Sequence, residues 1–214
     1  MDIGGNIMKI KRTLAFATAL ALSVCAYCQP VFAEEAAPTV AAAAAEPSAP
    51  AVSEKTSGTV TLDEETGTLT LSGNVSAEDI RSYSENENVK TVIANYGTVF
   101  PENCDSLFKN FMAAKIDLRQ ADTSNVTSMS SMFEGCEYAE LLDVRYWNTS
   151  KVTRMDNMFS HCSALKALDL SYFDTSNVTT MQGMFSYCIK MIDLDISDFA
   201  TSNDTDMSYM FNYC

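Results

Sequence analysis

This 214-residue chain has one histidine, and its lysines and arginines number 14 against 28 aspartates and glutamates. Chemistry that recruits several histidines, such as a three-histidine zinc site or a histidine relay, cannot be assembled from His161 alone. The formal net charge of -14 repels phosphate backbones and argues against an electrostatic nucleic-acid binder. Long apolar runs are scarce as well: the stretch from Leu14 to Tyr27 is short for a membrane span. Apolar residues nevertheless make up 47% of the chain, enough for a core once their placement is known.

Lys9, Lys11 and Arg12 precede that run, and Val31-Phe32-Ala33 offers small residues at the positions a signal peptidase reads. Residues 1–33 therefore read as a secretory signal peptide cut after Ala33, with Met8 a candidate start. Cys25 and Cys28 form a C-x-x-C, but in a segment that leaves the protein it lacks the folded context of a redox pair. Leu22-Ser23-Val24-Cys25 approximates a lipobox, so lipoprotein anchoring at Cys25 is the alternative to soluble export, although Val24 is larger than the residue usual at its position. Removal of residues 1–33 leaves 11 basic and 27 acidic residues, and the exported chain at -16 disfavours adsorption to anionic lipid, teichoic acid or DNA. Residues 34–56 are Ala/Pro/Glu/Ser-rich without aromatics and read as a disordered spacer.

Beyond the spacer the chain is periodic. Cys136, Cys162, Cys188 and Cys214 stand 26 residues apart, and a fixed period of that length marks a solenoid or array. Met132, Met158, Met184 and Met210 share the period, as do Phe133, Phe159, Phe185 and Phe211; Met129, Met155, Met181 and Met207; and Thr123, Thr149, Thr175 and Thr201. Alternation in Ile116-Asp117-Leu118, Leu142-Asp143-Val144, Leu168-Asp169-Leu170 and Leu194-Asp195-Ile196 predicts a short strand with one buried face. Val178, Met181, Met184, Phe185 and Cys188 fall at i, i+3, i+6, i+7 and i+10, which predicts a helix. DTSNVT between them supplies a turn and an N-cap at Thr179 or Asn177. No unit buries both its strand and its stripe alone, so units must stack into a right-handed curved solenoid with a parallel sheet along one side. The units are 116–141, 142–167, 168–193 and an incomplete 194–214; residues 57–115, with strand-like segments near 66–74 and 89–97, read as a β-rich N-terminal cap or a divergent repeat.

The third unit, LDLSYFDTSNVTTMQGMFSYC, resembles the repeats of BspA-type leucine-rich-repeat surface proteins, a group also described by mycoplasma-lipoprotein-like surface repeats. The resemblance covers residues 116–214 closely, and residues 57–115 look like the lead-in to such repeats. Ala121 stands where Trp147, Phe173 and Phe199 sit, and Asp204 replaces the valine of Val126, Val152 and Val178, so the first and last units depart most. The resemblance implies an α/β, leucine-rich-repeat-like solenoid of strand-turn-helix units. It also implies an exported or surface-held bacterial protein that binds host matrix, other bacteria or epithelial cells.

Each conspicuous residue type carries a plain reading and a sharper one. The four register cysteines fit buried thiols packed beside Met and Phe. An exported compartment also permits a stack of disulfides, although Cys104 makes the mature total five, and an odd number argues against a closed framework. One cysteine per repeat lacks the paired spacing of a zinc site, and no metal or cofactor is expected. Asp117, Asp143, Asp169 and Asp195 should form an outward column, one per rung at roughly 4.8 Å. Water, salt, Arg119 and Arg145 screen that column, or it is a strip for a cation or basic ligand, strongest near Asp193, Asp195 and Asp198 where no arginine competes. The spacing matches no calcium loop. Trp147, Phe173 and Phe199 fit a packed corner better than a sugar platform, whereas Tyr138, Tyr187 and Tyr213 flank the predicted helix end as contact residues. The N-x-S/T triplets at Asn125, Asn148, Asn177 and Asn203 read as turn chemistry.

The candidate binding face is thus Asp117, Arg119, Asp143, Arg145, Asp169 and Asp195, with Tyr138, Tyr187 and Tyr213. The expected function is non-catalytic attachment, adhesin-like, to an extracellular protein or cell-surface ligand; a structural surface-layer or stalk protein without a specific host ligand is the alternative. An enzyme ranks last, because no Ser/His/Asp or Cys/His set extends beyond the neighbours His161 and Cys162. The chain stops at Cys214 in mid-repeat, which reads as a fragment or truncated reading frame and, through an uncapped last unit, as a route to self-association. Replacing His161 with Gln is expected to leave every activity unchanged, and a catalytic assay that loses its signal would overturn that ranking.

Overall fold

The computed structural model describes residues 57–203 and 205–214. The expected signal peptide with Cys25, the spacer, and Asp204 lie outside the described residues.

Alternating Thr and apolar residues build β1 (Thr59–Asp63) and β2 (Thr68–Ser72), an antiparallel hairpin that pairs Leu62 with Leu69 and buries Leu69 and Leu71. Asp63 closes the turn: its Oδ1 accepts the Glu65 N–H at 2.9 Å, and its carbonyl accepts the Gly67 N–H at 2.8 Å. Glycine is required at 67, where φ is +66° and a Cβ would stand 2.6 Å from the Asn88 carbonyl oxygen. A single helical turn, α1 (Ala77–Arg81), follows; Ser76 Oγ caps it by accepting the Asp79 N–H at 3.0 Å, and Ile80 anchors it in the core.

From β2 onward the pairing is parallel. β3 (Thr91–Ala94), β4 (Lys115–Asp117) and β5 (Leu141–Asp143) complete a sheet of order β1-β2-β3-β4-β5, while β6 (Ala167–Leu168) and β7 (Asp193–Leu194) pair in a second sheet. The register sets Leu69 beside Val92, Val92 beside Ile116, and Ile116 beside Leu142, so successive coils take 23, 24 and 26 residues; Leu168 beside Leu194 keeps 26. A second parallel row of bridges runs Asn103, Ser128, Arg154, Thr180, Asp206 along the turn side. Residues 57–115 are therefore continuous with the repeats through the sheet.

The repeat array is present, but its units hold no helix. Val178, Met181, Met184, Phe185 and Cys188 are all fully buried, as the periodicity requires, yet their backbone is a run of turns. In a helix each N–H bonds four residues back within its own segment. Here the N–H groups of Met155, Asn157, Phe159 and His161 donate to the carbonyls of Thr180, Gln182, Met184 and Ser186 in the next coil at 2.8–3.0 Å. The intervening Met158, Ser160 and Cys162 close three-residue turns onto Met155, Asn157 and Phe159. Left-handed residues four apart enforce this alternation in each coil from β3 onward: Ser106 and Asn110, Ser131 and Gly135, Asn157 and His161, Gly183 and Tyr187, Tyr209 and Tyr213, with φ from 54° to 75°. Each non-glycine residue held there costs about 1–2 kcal/mol, offset by the bonds it aims at the neighbouring coil. The expected N-cap residues also reach across coils: Asn177 Nδ2 donates to the Ser150 carbonyl at 2.8 Å and Thr179 Oγ1 to the Thr153 carbonyl at 3.1 Å.

Inside, the repeat residues stack on their own copies. Phe108, Phe133, Phe159, Phe185 and Phe211 form a ladder with ring centroids 5.5–5.7 Å apart and planes within 4–7° of parallel. Trp147 continues a second column onto Phe173 at 6.4 Å, and its Nε1 donates to the Leu118 carbonyl at 2.9 Å. Both are packed at the corner, and Phe199 is half-buried against the core. The buried threonines pin the coils: Thr149 Oγ1 donates to the Asp174 carbonyl at 3.0 Å and accepts the Asp174 N–H at 2.8 Å, and Thr123 and Thr175 do the same to Asn148 and Ala200. On the last coil the pattern loosens, with Met210 buried but Phe211 36% exposed and Cys214 exposed. Phe159→Ala, which opens a cavity in mid-ladder, is expected to cost about 3–5 kcal/mol in urea unfolding, and Phe211→Ala less than half as much.

Candidate binding face

β4 to β7 direct alternate side chains out of the core, so each coil places one aspartate on the sheet face. Asp117 and Asp143 are direct register partners and sit half-buried, whereas Asp169 and Asp195 are exposed. Two residues further along each coil stands an arginine, an arginine, a serine and a serine. Arg119 Nη2 lies 3.1 Å from Asp117 Oδ2, and its Nε lies 3.9 Å from Asp143. Arg145 grips Asp143 with both arms, Nε to Oδ1 at 2.9 Å and Nη2 to Oδ2 at 2.7 Å. Those hydrogen bonds hold the Asp143 carboxyl below the usual carboxylate range against the opposing effect of burial, and they raise the Arg145 guanidinium. A depressed carboxylate adds stability above that range and loses it as the pH falls through the lowered value; at this solvent-washed rim the contribution is small.

From the third coil the partners change. Asp169 Oδ1 accepts the Ser171 hydroxyl at 2.7 Å and its N–H at 3.1 Å, and Asp195 Oδ1 accepts the Ser197 N–H at 2.9 Å. The charge of the face therefore grows more negative toward β7. Where the first sheet ends at β5 and the second begins at β6, a groove of about 450 Å³ opens, with Leu141 and Ala167 exposed on its walls and Asp143, Asp169, Asp193 and Asp195 around them.

The predicted tyrosines lie on the turn segments rather than on the sheet, so the structure divides the candidate face in two. Tyr187 stacks between His161 at 4.3 Å and Tyr213 at 4.8 Å, and Tyr138 stands exposed two residues past Cys136. Sequence reasoning passed over the tyrosines that do adjoin the sheet face. Tyr146 and Tyr172 are exposed, their rings lie 4.7 Å apart, and the Arg145 guanidinium sits 6.0 Å from the Tyr146 centroid. The signal was their place directly before the buried Trp147 and Phe173, where alternation turns a side chain outward.

The five described cysteines are free thiols. Cys136, Cys162, Cys188 and Cys214 each donate to the phenylalanine carbonyl of the preceding coil, those of Phe108, Phe133, Phe159 and Phe185, at 2.9–3.3 Å. Burial pushes the Cys104, Cys136 and Cys188 thiols up to about 12 and the Cys162 thiol well above its ordinary value. Among the described residues no three His, Cys, Asp or Glu side chains converge as a metal site, and no helix is long and apolar enough to cross a membrane.

Coils stacked in parallel and joined through their main chains, with a repeating interior and a groove on the sheet face, define a repeat solenoid of the β class. The chain belongs to the family described as Mycoplasma protein of unknown function, DUF285, whose model matches residues 102–214. No curated protein and no solved structure matches it.

Thiols that ionise near 9 when unfolded and near 12 when folded make the fold less stable as the pH rises through that interval. At pH 8, iodoacetamide should alkylate the exposed Cys214 well before Cys136, Cys162 and Cys188, which should react only on unfolding; peptide mass mapping reads the order.

Proposed function

We propose that this chain is a secreted or cell-surface bacterial protein of the BspA type, which attaches to other proteins or cells and catalyses no reaction. One observation carries the reading: inward positions repeat, whereas two outward positions of the sheet face beside the aspartate column change from coil to coil. Met, Phe, Cys and Thr recur in the core, whereas the sheet face reads Lys115, Leu141, Ala167 and Asp193 at one position and Gln120, Tyr146, Tyr172 and Asp198 at another. A constant scaffold under a varied exposed surface suits recognition of a large partner, as in other solenoids. Export is supported by the basic residues Lys9 to Arg12, the apolar run after them and the small residues ending at Ala33. The non-catalytic reading is supported by the state of the residues a nucleophilic mechanism needs. The repeat thiols of Cys136, Cys162 and Cys188 are buried and held neutral, and the His161 ring is stacked flat on Tyr187.

The test is saturable binding of the fluorescently labelled full chain to epithelial cells, to bacterial cells and to surfaces coated with matrix proteins. Binding to at least one is expected, weakened roughly tenfold by replacing Tyr146 and Tyr172 together with Ser. Binding to none, with self-association of the purified chain, would overturn the attachment reading in favour of a surface-layer or stalk role.

A further inference from the structure

We propose that Asn148 carries a covalently attached sugar, joined to its side-chain amide by a transferase that uses a phosphate-activated donor. This modification is independent of the attachment reading. The Asn-x-Ser/Thr triplet is the acceptor pattern for that chemistry, and the chain has it at Asn125, Asn148, Asn177 and Asn203, all exposed.

Hydrogen bonding separates the four. Asn177 Nδ2 donates to the Ser150 carbonyl at 2.8 Å and Asn203 Nδ2 donates in the same way to the Ser176 carbonyl, so both amides hold one coil to the coil before. Asn125 Oδ1 accepts the Lys151 ammonium at 3.1 Å. The hydroxyls of these three triplets are engaged across coils too: Thr127, Thr179 and Thr205 donate to the carbonyls of Glu102, Thr153 and Val178 at 2.9–3.3 Å. The triplet at Asn148 closes on itself instead. Ser150 donates to Asn148 Oδ1 through its hydroxyl at 2.7 Å and through its N–H at 3.1 Å, and Asn148 Nδ2 has no hydrogen bond among the described residues. Nor does the turn require an amide there. In the coils on either side the same position holds Asp122 and Asp174, whose carboxylates accept the Ser124 and Ser176 N–H groups at 2.9 Å.

In the transfer a bond forms from Nδ2 to the anomeric carbon of the sugar, and the bond from that carbon to the donor's phosphate oxygen breaks. The electron pair leaves with the phosphate, and the Nδ2 proton passes to a base on the transferase. An amide nitrogen is a weak nucleophile until that proton goes, and the charge then left on the group rests largely on its oxygen. The Ser150 hydroxyl and N–H already bond to that oxygen and stabilise charge on it. A sugar on Asn148 Nδ2 disturbs no bond between coils, whereas at Asn177 or Asn203 it crowds the carbonyl that the amide holds.

The test is peptide mass mapping of the full chain recovered from the cells that naturally produce it. A sugar on Asn148 is expected, with Asn125, Asn177 and Asn203 bare. N148D keeps the oxygen that holds the turn, as Asp122 and Asp174 do, and should lose the sugar. S150A keeps the asparagine and should lose the sugar as well, while S150T retains it; urea midpoints like that of the unaltered chain confirm that the variants are folded. A bare Asn148 in the natural chain, a sugar that survives in S150A, or one carried on Asn177 instead overturns the proposal. Unmodified full chain incubated with fractions of the same cells identifies the donor: modification by the soluble fraction with a nucleotide-activated sugar marks that donor, and modification by the membrane fraction alone marks a lipid-linked one.

Discussion

Main-chain hydrogen bonding between coils is the constraint on which the rest of this structure depends. Along the turn segment, alternate N–H groups such as those of Phe159 and His161 leave their own coil and reach Met184 and Ser186 in the next. A buried backbone donor must be paired, so a coil in this fold is incomplete without a neighbour set in register against it. The register explains the period: once the cross-coil bonds are made, a residue inserted in one coil would displace every partner beyond it. The threonine hydroxyls reinforce the same register from the side-chain level, with Thr149 bonded to both main-chain groups of Asp174.

Identical residues stacked on one another follow from that register. Five phenylalanines lie nearly parallel, and the thiols of Cys136, Cys162, Cys188 and Cys214 each donate to the phenylalanine carbonyl of the coil before. The cysteines are therefore packing and hydrogen-bonding elements whose burial suppresses their ionisation. Outward positions beside the aspartate column are freer, because no buried volume fixes the side chain that stands there. Arginine can give way to serine beside the aspartates, and tyrosine to aspartate before the corner aromatic, without disturbing the interior.

That freedom concentrates chemistry where the strand pairing lapses. Two coils with an arginine clasped to an aspartate give way to two whose aspartates accept from serine, and the groove opens between them. In the proposed attachment function the stacked coils are a support and the changing outer residues are the recognition surface, so affinity and stability can vary separately.

Much of this was legible in the residues themselves. The spacing of Cys136, Cys162, Cys188 and Cys214 established a stacked array, and the alternation around Leu168 established a strand with one buried face, because burial is written into side-chain chemistry. The stripe from Val178 to Cys188 was also buried as its spacing required, but the helix inferred from it was wrong. A helix and a pair of left-handed-interrupted turns turn the same side chains inward, and the sequence pattern carries no record of whether an N–H points along its own segment or toward a neighbour. The division of the tyrosines between turn and sheet, and the groove at β5 and β6, were equally hidden, since both depend on how adjacent coils are set against each other. By itself, then, the sequence determined the period, the buried residues and the acidic column. Only the tertiary structure decided the direction of the backbone hydrogen bonds and the place where the sheet parts, because those belong to pairs of coils and to no single segment.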